Sequence, residues 1–290
     1  MSLLEKLGYS GQKKLLIVHA DDAGLSRSEN KATIAALEFG VVNSYSIMTP
    51  CKYFSEIAAF SKANPNVDVG IHLTVTSEWD TYKVRPILPI AEIESLVDGT
   101  GAFHNTIETF RSYAIANHVE KELRAQIEKA LTYGLAPSHL DSHMFALAAR
   151  PDLLDIYRKL GWEYQIPVLL DKYHAKAASR EQNSFQEETI IIVDAVYIAP
   201  FLEFEPSGLI NYYQKILDNL SSGLNVILIH PAYDDHEMQH ITKGRTHFGA
   251  KWRQIDLEYF TSNDCLTRIK NNNISLTTWR EVSSRYKLKN

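Results

Sequence analysis

Two adjacent carboxylates, Asp21 and Asp22, follow His19 where the apolar run Leu15-Leu16-Ile17-Val18 gives way to Gly24, Ser26 and Ser28. The run reads as a buried parallel strand, and the serines as N-caps of a helix carrying Ile34, Leu37 and Phe39. In α/β folds that end of a strand is where ligands bind. Neighbouring strand residues point to opposite faces, so both carboxylates share a site only if strand geometry stops between them. Further along, Gly70, His72 and Thr74 alternate with Val69, Ile71 and Leu73, which puts His72 on the polar face of its strand. His139, Asp141 and His143 alternate with Leu140 and Ser142 in the same way. Three titratable groups on one face are costly unless paired, metal-bound or wet. His230 ends an apolar run and precedes Asp234 and Asp235, as a general acid oriented by a carboxylate would. Taken singly, the aspartate pair and His230 equally suit a helix cap and an incidental histidine, and His72 reads first as a hydrogen-bonded core residue, whereas the His139, Asp141 and His143 face favours function. Together they put histidine or aspartate at the C-terminal ends of four strands. One carboxylate with two imidazoles leaves room for water on a divalent cation, as in a hydrolytic metal site.

The elements that must position these residues alternate strand and helix almost throughout. Strands are expected at 15–18, 41–48, 67–74, 138–143, near 164–167, and at 189–196, 225–230 and 274–277. Between them fall a helix or broken pair over 106–133, a helix from Pro151, and helices over 207–221 and 250–271. Residues 77–105, broken by Pro86, Pro89, Gly99 and Gly101, read as a loop insertion on the ligand-binding face. No Gly-x-Gly-x-x-Gly follows the first strand, which removes the main support for a dinucleotide fold. Polar residues collected at several strand ends favour a closed rim. The expectation is therefore an α/β fold, an irregular TIM-like (β/α) barrel of about seven parallel strands, with residues 1–290 as a single domain.

Composition sets the outer limits. With 290 residues, 45% hydrophobic and 22% charged, the chain can bury a full core and suits a soluble protein. A formal net charge of −5 gives no reason to expect nucleic acid or an anionic membrane as partner. No stretch has the apolar length of a membrane span, and Met1–Lys6 lacks the apolar core of a signal peptide. Cys51 and Cys265, far apart and without metal or redox spacing, read as buried thiols in a reducing cytoplasm.

Four segments then resemble the blocks of the YdjC-like carbohydrate deacetylases, which include chito-oligosaccharide deacetylases of bacteria: His19–Gly24, Gly70–Thr74, His139–His143 and His230–Asp235. The likeness runs from residue 15 to about 285, with Gly249–Leu257 as a weaker fifth block. It implies an irregular (βα) barrel, a divalent metal (usually Mg²⁺), often a homodimer, and removal of N-acetyl groups from amino sugars or short chito-oligosaccharides. It also implies Asp22, His72 and His143 as metal ligands, Asp21 as base, and a protonated His230 as acid towards the leaving amine. The division between Asp21 and Asp22 follows the wider polysaccharide deacetylase superfamily. His139, Asp141, Trp79, Tyr82 and Arg253 are candidate substrate contacts. Trp79 and Tyr82, with Phe103 and Trp252, suit stacking on sugar rings, and equally suit ordinary packing. Two positions depart from the family: Phe145 stands where another histidine is usual, and Asp256 where glutamate is common, the latter as a supporting partner of Arg253. Imidazole ligands accept Zn²⁺, Mn²⁺, Co²⁺ or Ni²⁺ as readily as Mg²⁺. Two other classes compete. One is a non-catalytic carbohydrate-binding barrel, for which Phe145 speaks. The other is a 2-His-1-carboxylate iron oxygenase, against which the strand–helix alternation argues. The purified protein should release acetate under anaerobic conditions and consume no oxygen with Fe(II) and a 2-oxo acid; the converse pair of results would assign it to the oxygenases.

Overall fold

The computed structural model describes residues 3–172, 190–200 and 206–286. Its hub is β1 (Lys14–Ala23), which starts with the expected apolar run and continues through the aspartate pair. Along one edge β1 pairs with β8 (Gly223–Ile229); the other edge is shared by β2 (Ser44–Ile47) and the short β9 (Ile274–Leu276). From β2 the sheet continues through β3 (Val69–Leu73), β4 (Leu140–Ser142) and β5 (Val168–Asp171), every pairing parallel. The segment 190–197 brings the two ends together. Its first half, β6 (Ile190–Val193), pairs with β5, and its second half, β7 (Ala195–Tyr197), pairs with β8. Only Asp194 separates the halves, and it exchanges hydrogen bonds with the Leu224 backbone through both its N–H (2.8 Å) and its carboxylate (2.9 Å). The result is a nearly closed, TIM-like α/β barrel with seven strand positions, as the sequence predicts.

Strand alternation divides the apolar residues into two sets. Leu15 and Ile17, Leu169, Ile191 and Val193, and Leu224, Val226 and Leu228 cluster with Leu4, Leu7, Trp279 and Val282. This is the lower barrel interior, plugged by the first helix (Leu3–Lys6) and the last (Trp279–Tyr286). Asp68 holds the last helix in place by accepting from the Trp279 and Arg280 N–H groups, both at 3.0 Å. The alternate residues Leu16, Val18, Ile71, Leu73, Ile227 and Ile229 belong to the core under the helix shell, where Val119, Leu123 and Ile127 of helix Ala116–Thr132 also lie. Each fully buried aliphatic side chain contributes about 1.5–3 kcal/mol. Above the plug the interior changes character: His19, Asp21, His72, His139, Asp141 and His230 are all buried there.

Four local expectations are corrected. The strand looked for near 164–167 begins at Val168, because helix Pro151–Tyr164 runs on to a left-handed cap at Gln165 (φ 55°). The helix over 250–271 is two helices, Ala250–Phe260 and Asn263–Asn271, since the Ser262 hydroxyl caps the second by accepting from the Cys265 N–H. The strand over 41–48 is only Ser44–Ile47. Residues 77–105 are no bare loop: helix Ile90–Ile93, a 3₁₀ turn Glu94–Leu96 and a Val97–Phe103 bridge bury Val84, Leu96 and Phe103. The region 106–133 is the broken pair Ile107–Tyr113 and Ala116–Thr132. Residue 189, the expected start of the sixth strand, lies outside the described residues. Cys51 and Cys265 are free and buried, and among the described residues no helix is long and apolar enough to cross a membrane.

One glycine is required by close approach. A Cβ on Gly70, inside the barrel, would lie 2.4 Å from the His139 ring, which is itself stacked on Trp279. Gly70→Ala should therefore cost about 1–3 kcal/mol in chemical denaturation; an unchanged midpoint would mean that His139 moves aside freely.

Candidate active site

Alternation along β1 carries Ile17, His19 and Asp21 into the barrel and would send Asp22 outwards. Asp22 turns inwards instead. Its φ is +65°, and the register of β1 on β2 slips between Ala20 and Ala23. Left-handed backbone at a non-glycine residue costs about 1–3 kcal/mol and persists only where the surroundings hold it. Here Arg253 holds it, donating from Nη2 to Asp22 Oδ2 at 2.9 Å, from Nη1 to Glu29, and from Nε to the Phe248 carbonyl at 2.8 Å. Glu29 lies in the first turn of helix Arg27–Phe39, whose N-cap Ser26 accepts from the Glu29 N–H. The strand, the turn and the helix start are thus one hydrogen-bonded unit.

The other oxygen, Asp22 Oδ1, is buried and has no hydrogen-bond partner among the described residues. It faces His72 Nε2 at 3.3 Å and His143 Nδ1 at 3.2 Å, and the two nitrogens are 3.2 Å apart. The far side of each ring is engaged by a carboxylate: His72 Nδ1 by Asp141 Oδ1 at 2.8 Å, His143 Nε2 by Glu78 Oε2 at 2.9 Å. When neutral, each imidazole keeps its N–H on its carboxylate and turns a lone pair towards Asp22. One carboxylate oxygen and two imidazole lone pairs on a common point fit a divalent cation. Electrostatics agree. Burial pushes His72 and His143 down, yet Asp141 and Asp21 hold His72 well above its ordinary value, and Glu78 with Asp22 lifts His143 to about 9. Burial would raise Asp22, but His143, His72 and Arg253 keep it well below the usual carboxylate range. The pocket draws positive charge into itself.

Asp21 and His230 flank this point, with Asp21 Oδ2 3.7 Å from His230 Nε2. Burial pushes His230 down to about 4, against the charges of Asp22 and Asp21, which favours the neutral imidazole. Its backbone N–H donates to Asp256 Oδ2 at 2.9 Å, and Tyr213 donates to Asp256 Oδ1 at 2.6 Å. Asp256 therefore supports His230; the carboxylate partners of Arg253 are Asp22 and Glu29. That corrects the sequence reading, and the reason is reach: helix Ala250–Phe260 turns Asp256 to the end of β8 and Arg253 to β1.

Asp21, Asp22, His72, Glu78, His143 and His230 line a cavity of about 240 Å³. Trp79 also lines it, stacked on His143 with centroids 5.6 Å apart; so do Asp141, Arg253 and Phe145. Tyr82 is not among the lining residues and packs edge-on against Trp79, its hydroxyl accepting from the Lys52 N–H. His139 lies deeper, fully buried on Trp279, and Phe103 and Trp252 are core residues. Asp22, His72, His143, Asp21 and His230 thus come together; His139 and Tyr82 stand apart from the cavity. Sequence reasoning missed Glu78 and Glu29. The first was readable only as an acid next to Trp79 in the insertion, the second only as a first-turn helix residue.

The sequence pattern of the YdjC-like protein family matches residues 15–271. A carbohydrate deacetylase of Thermoanaerobacter pseudethanolicus is 28% identical over 268 residues, 92% of this chain and 98% of that protein. A chitooligosaccharide deacetylase of Yersinia enterocolitica is 28% identical, covering 77% of this chain and 83% of its own. A crystal structure from Enterococcus faecalis, of a protein described as a candidate for cellobiose-phosphate cleavage, shares the fold: TM-score 0.76, 24% identity, 93% of this chain and 99% of that one.

Burial of Asp256 has a pH consequence. It raises the carboxyl from its ordinary 3.8 to about 7, against the bonds from Tyr213 and His230 and the charge of Arg253. The folded protein therefore binds a proton that the unfolded chain releases. The resulting stability is full below about pH 4 and is lost as pH rises through 7. Asp256→Asn, uncharged throughout, should flatten that part of the melting-temperature profile; an unchanged slope would refute the assignment.

Proposed function

This chain belongs to the YdjC-like protein family, and from that premise we propose that it is a metal-dependent hydrolase removing N-acetyl groups from amino sugars or short chito-oligosaccharides. The observation that carries this is the meeting of Asp22, His72 and His143 at the cavity wall with Asp21 and His230 beside them. The names of the relatives, carbohydrate and chitooligosaccharide deacetylase, support the substrate class. Asp22 Oδ1, His72 Nε2 and His143 Nδ1 would hold a divalent cation, which supplies a more acidic water and a polarised acetamide carbonyl. Asp21 takes a proton from the attacking water. His230, neutral at rest, receives that proton from Asp21 Oδ2 and passes it to the departing nitrogen, since an amine leaves an amide poorly without one. The hydroxide oxygen joins the carbonyl carbon, the C–N bond breaks, and acetate and a free amino sugar result. Arg253 and Glu78 carry no proton in this sequence; they hold Asp22 and His143 in position. Trp79 offers the sugar an apolar wall beside the reacting bond. Mg²⁺ follows from the family likeness, whereas the two imidazoles favour Zn²⁺ or another transition metal. We extend the proposal to one domain over 1–290, acting in the cytoplasm as a homodimer, with neither nucleic acid nor membrane as partner. Phe145 does not weaken the catalytic reading, because it supplies none of the five groups. Asp21→Asn should lower the rate of acetate release from N-acetylated chitobiose by about 10²–10⁴-fold while the ion at Asp22, His72 and His143 is retained. EDTA should abolish it and added Mg²⁺ or Zn²⁺ restore it. Sugar binding without acetate release under any metal would make the protein a carbohydrate-binding barrel.

A further inference from the structure

Beneath the groups used above, four polar atoms converge in the barrel interior. They are His19 Nε2 and Asp21 Oδ1 of β1, Asp141 Oδ2 of β4, and Nε2 of His139, the residue before β4. His19 Nε2 lies 3.0 Å from Asp141 Oδ2 and 3.2 Å from Asp21 Oδ1, and His139 Nε2 lies 3.8 Å from Asp141 Oδ2. His19 and His139 are fully buried and Asp141 is 2% exposed. Hydrogen bonding among the described residues leaves this group unsatisfied. The hydrogen bond of His19 Nε2 is to Ser46 Oγ at 3.1 Å, and although Asp141 Oδ2 and Asp21 Oδ1 lie close to that nitrogen, neither they nor His139 Nε2 has a hydrogen-bond partner of good geometry among the described residues. Three such atoms in one place are unusual, because a buried polar atom without a partner is costly.

The opposite side of each residue is, by contrast, pinned. His19 Nδ1 meets Ser44 Oγ at 2.9 Å, His139 Nδ1 meets Ser138 Oγ at 2.9 Å, and Asp141 Oδ1 meets His72 Nδ1 at 2.8 Å. With each Nδ1–H donated to a serine, both imidazoles turn a lone pair to the same point, the arrangement that outer hydrogen bonds impose on metal ligands. Gly70 makes room for the His139 ring and Trp279 backs it. Charge points the same way. Asp21, Asp22 and Asp141 are all buried, and among the described residues Arg253 is the only buried guanidinium, already held by Asp22 and Glu29.

We propose that His19 Nε2, His139 Nε2 and Asp141 Oδ2 bind a second divalent transition-metal ion inside the barrel, with Asp21 Oδ1 as its contact towards the cavity. Ligand atoms about 2.0–2.2 Å from one ion stand roughly 3–3.5 Å from each other; His19 Nε2 and Asp141 Oδ2 are at 3.0 Å, His139 Nε2 and Asp141 Oδ2 at 3.8 Å, and all three atoms lie within 4.8 Å of one another. Two imidazoles and a carboxylate select Zn²⁺, Co²⁺ or Mn²⁺ over Mg²⁺ and Ca²⁺. The ion supplies the missing positive charge and holds Asp21 from below. This inference does not rest on the hydrolase reading.

The test uses the full chain, stripped with chelator and reloaded with Zn²⁺, with the metal counted by mass spectrometry and located by anomalous scattering in crystals. The expected result is two ions per chain, one peak within bonding distance of His19 and His139 and one at Asp22, His72 and His143. His19→Asn and His139→Gln should each reduce the count to one and leave the upper peak. If both variants fail to fold, the wild-type count and map decide. A single ion at the upper position, with water or a protonated His19 filling the interior, overturns the proposal. An interior peak alone supports it and removes the upper site instead. No bound ion overturns both.

Discussion

The positive φ at Asp22 is the constraint on which the site depends. A regular strand would show one carboxylate of the aspartate pair to the barrel and the other to the helices. The left-handed residue puts both inside, and the backbone strain is held by a fully buried guanidinium that also grips the first turn of the next helix. Removing that grip would leave two buried carboxylates without their partner, which is why a residue 231 positions away in sequence belongs to the same structural unit as the pair.

The imidazoles depend on a second layer of carboxylates. Asp141 behind His72 and Glu78 behind His143 decide which nitrogen of each ring faces Asp22. The same carboxylates make the pocket negative, so the histidines hold protons or a cation more readily than free imidazole would. His230 is the exception: burial outweighs its neighbouring aspartates and leaves it neutral, suited to relay a proton instead of storing one. This chemistry tolerates burial because the barrel is layered, with an aliphatic plug at the base and charge only above it.

The two departures from the family have different structural weights. Asp256 is shorter than glutamate yet reaches the His230 backbone and Tyr213, so the end of β8 is fixed without any bond to Arg253. Phe145 follows Met144 in a pair of left-handed residues just past His143, and its ring joins the apolar lining of the cavity. The insertion after β3 has its own buried core, which makes Glu78 and Trp79 fixed parts of the pocket wall.

Periodicity alone determined the alternation of strands and helices, because inward and outward residues of a parallel strand differ in polarity wherever the interior carries chemistry. That made His72, Asp141 and His143 legible as one face, and β1 and β8 as ends that present acid and imidazole. Strand β5 was misplaced because a short apolar run beside a helix end has no period of its own, and the helix over 250–271 because a single serine cap outweighs a continuous pattern. Tertiary structure alone decided the rest. The inward turn of Asp22, the grip of Arg253 on Glu29, the shift of Asp256 to His230 and the descent of His139 beneath the cavity are set by contacts between residues far apart in sequence. Spacing within a segment carries no information about distances between segments; only closure of the barrel fixes those.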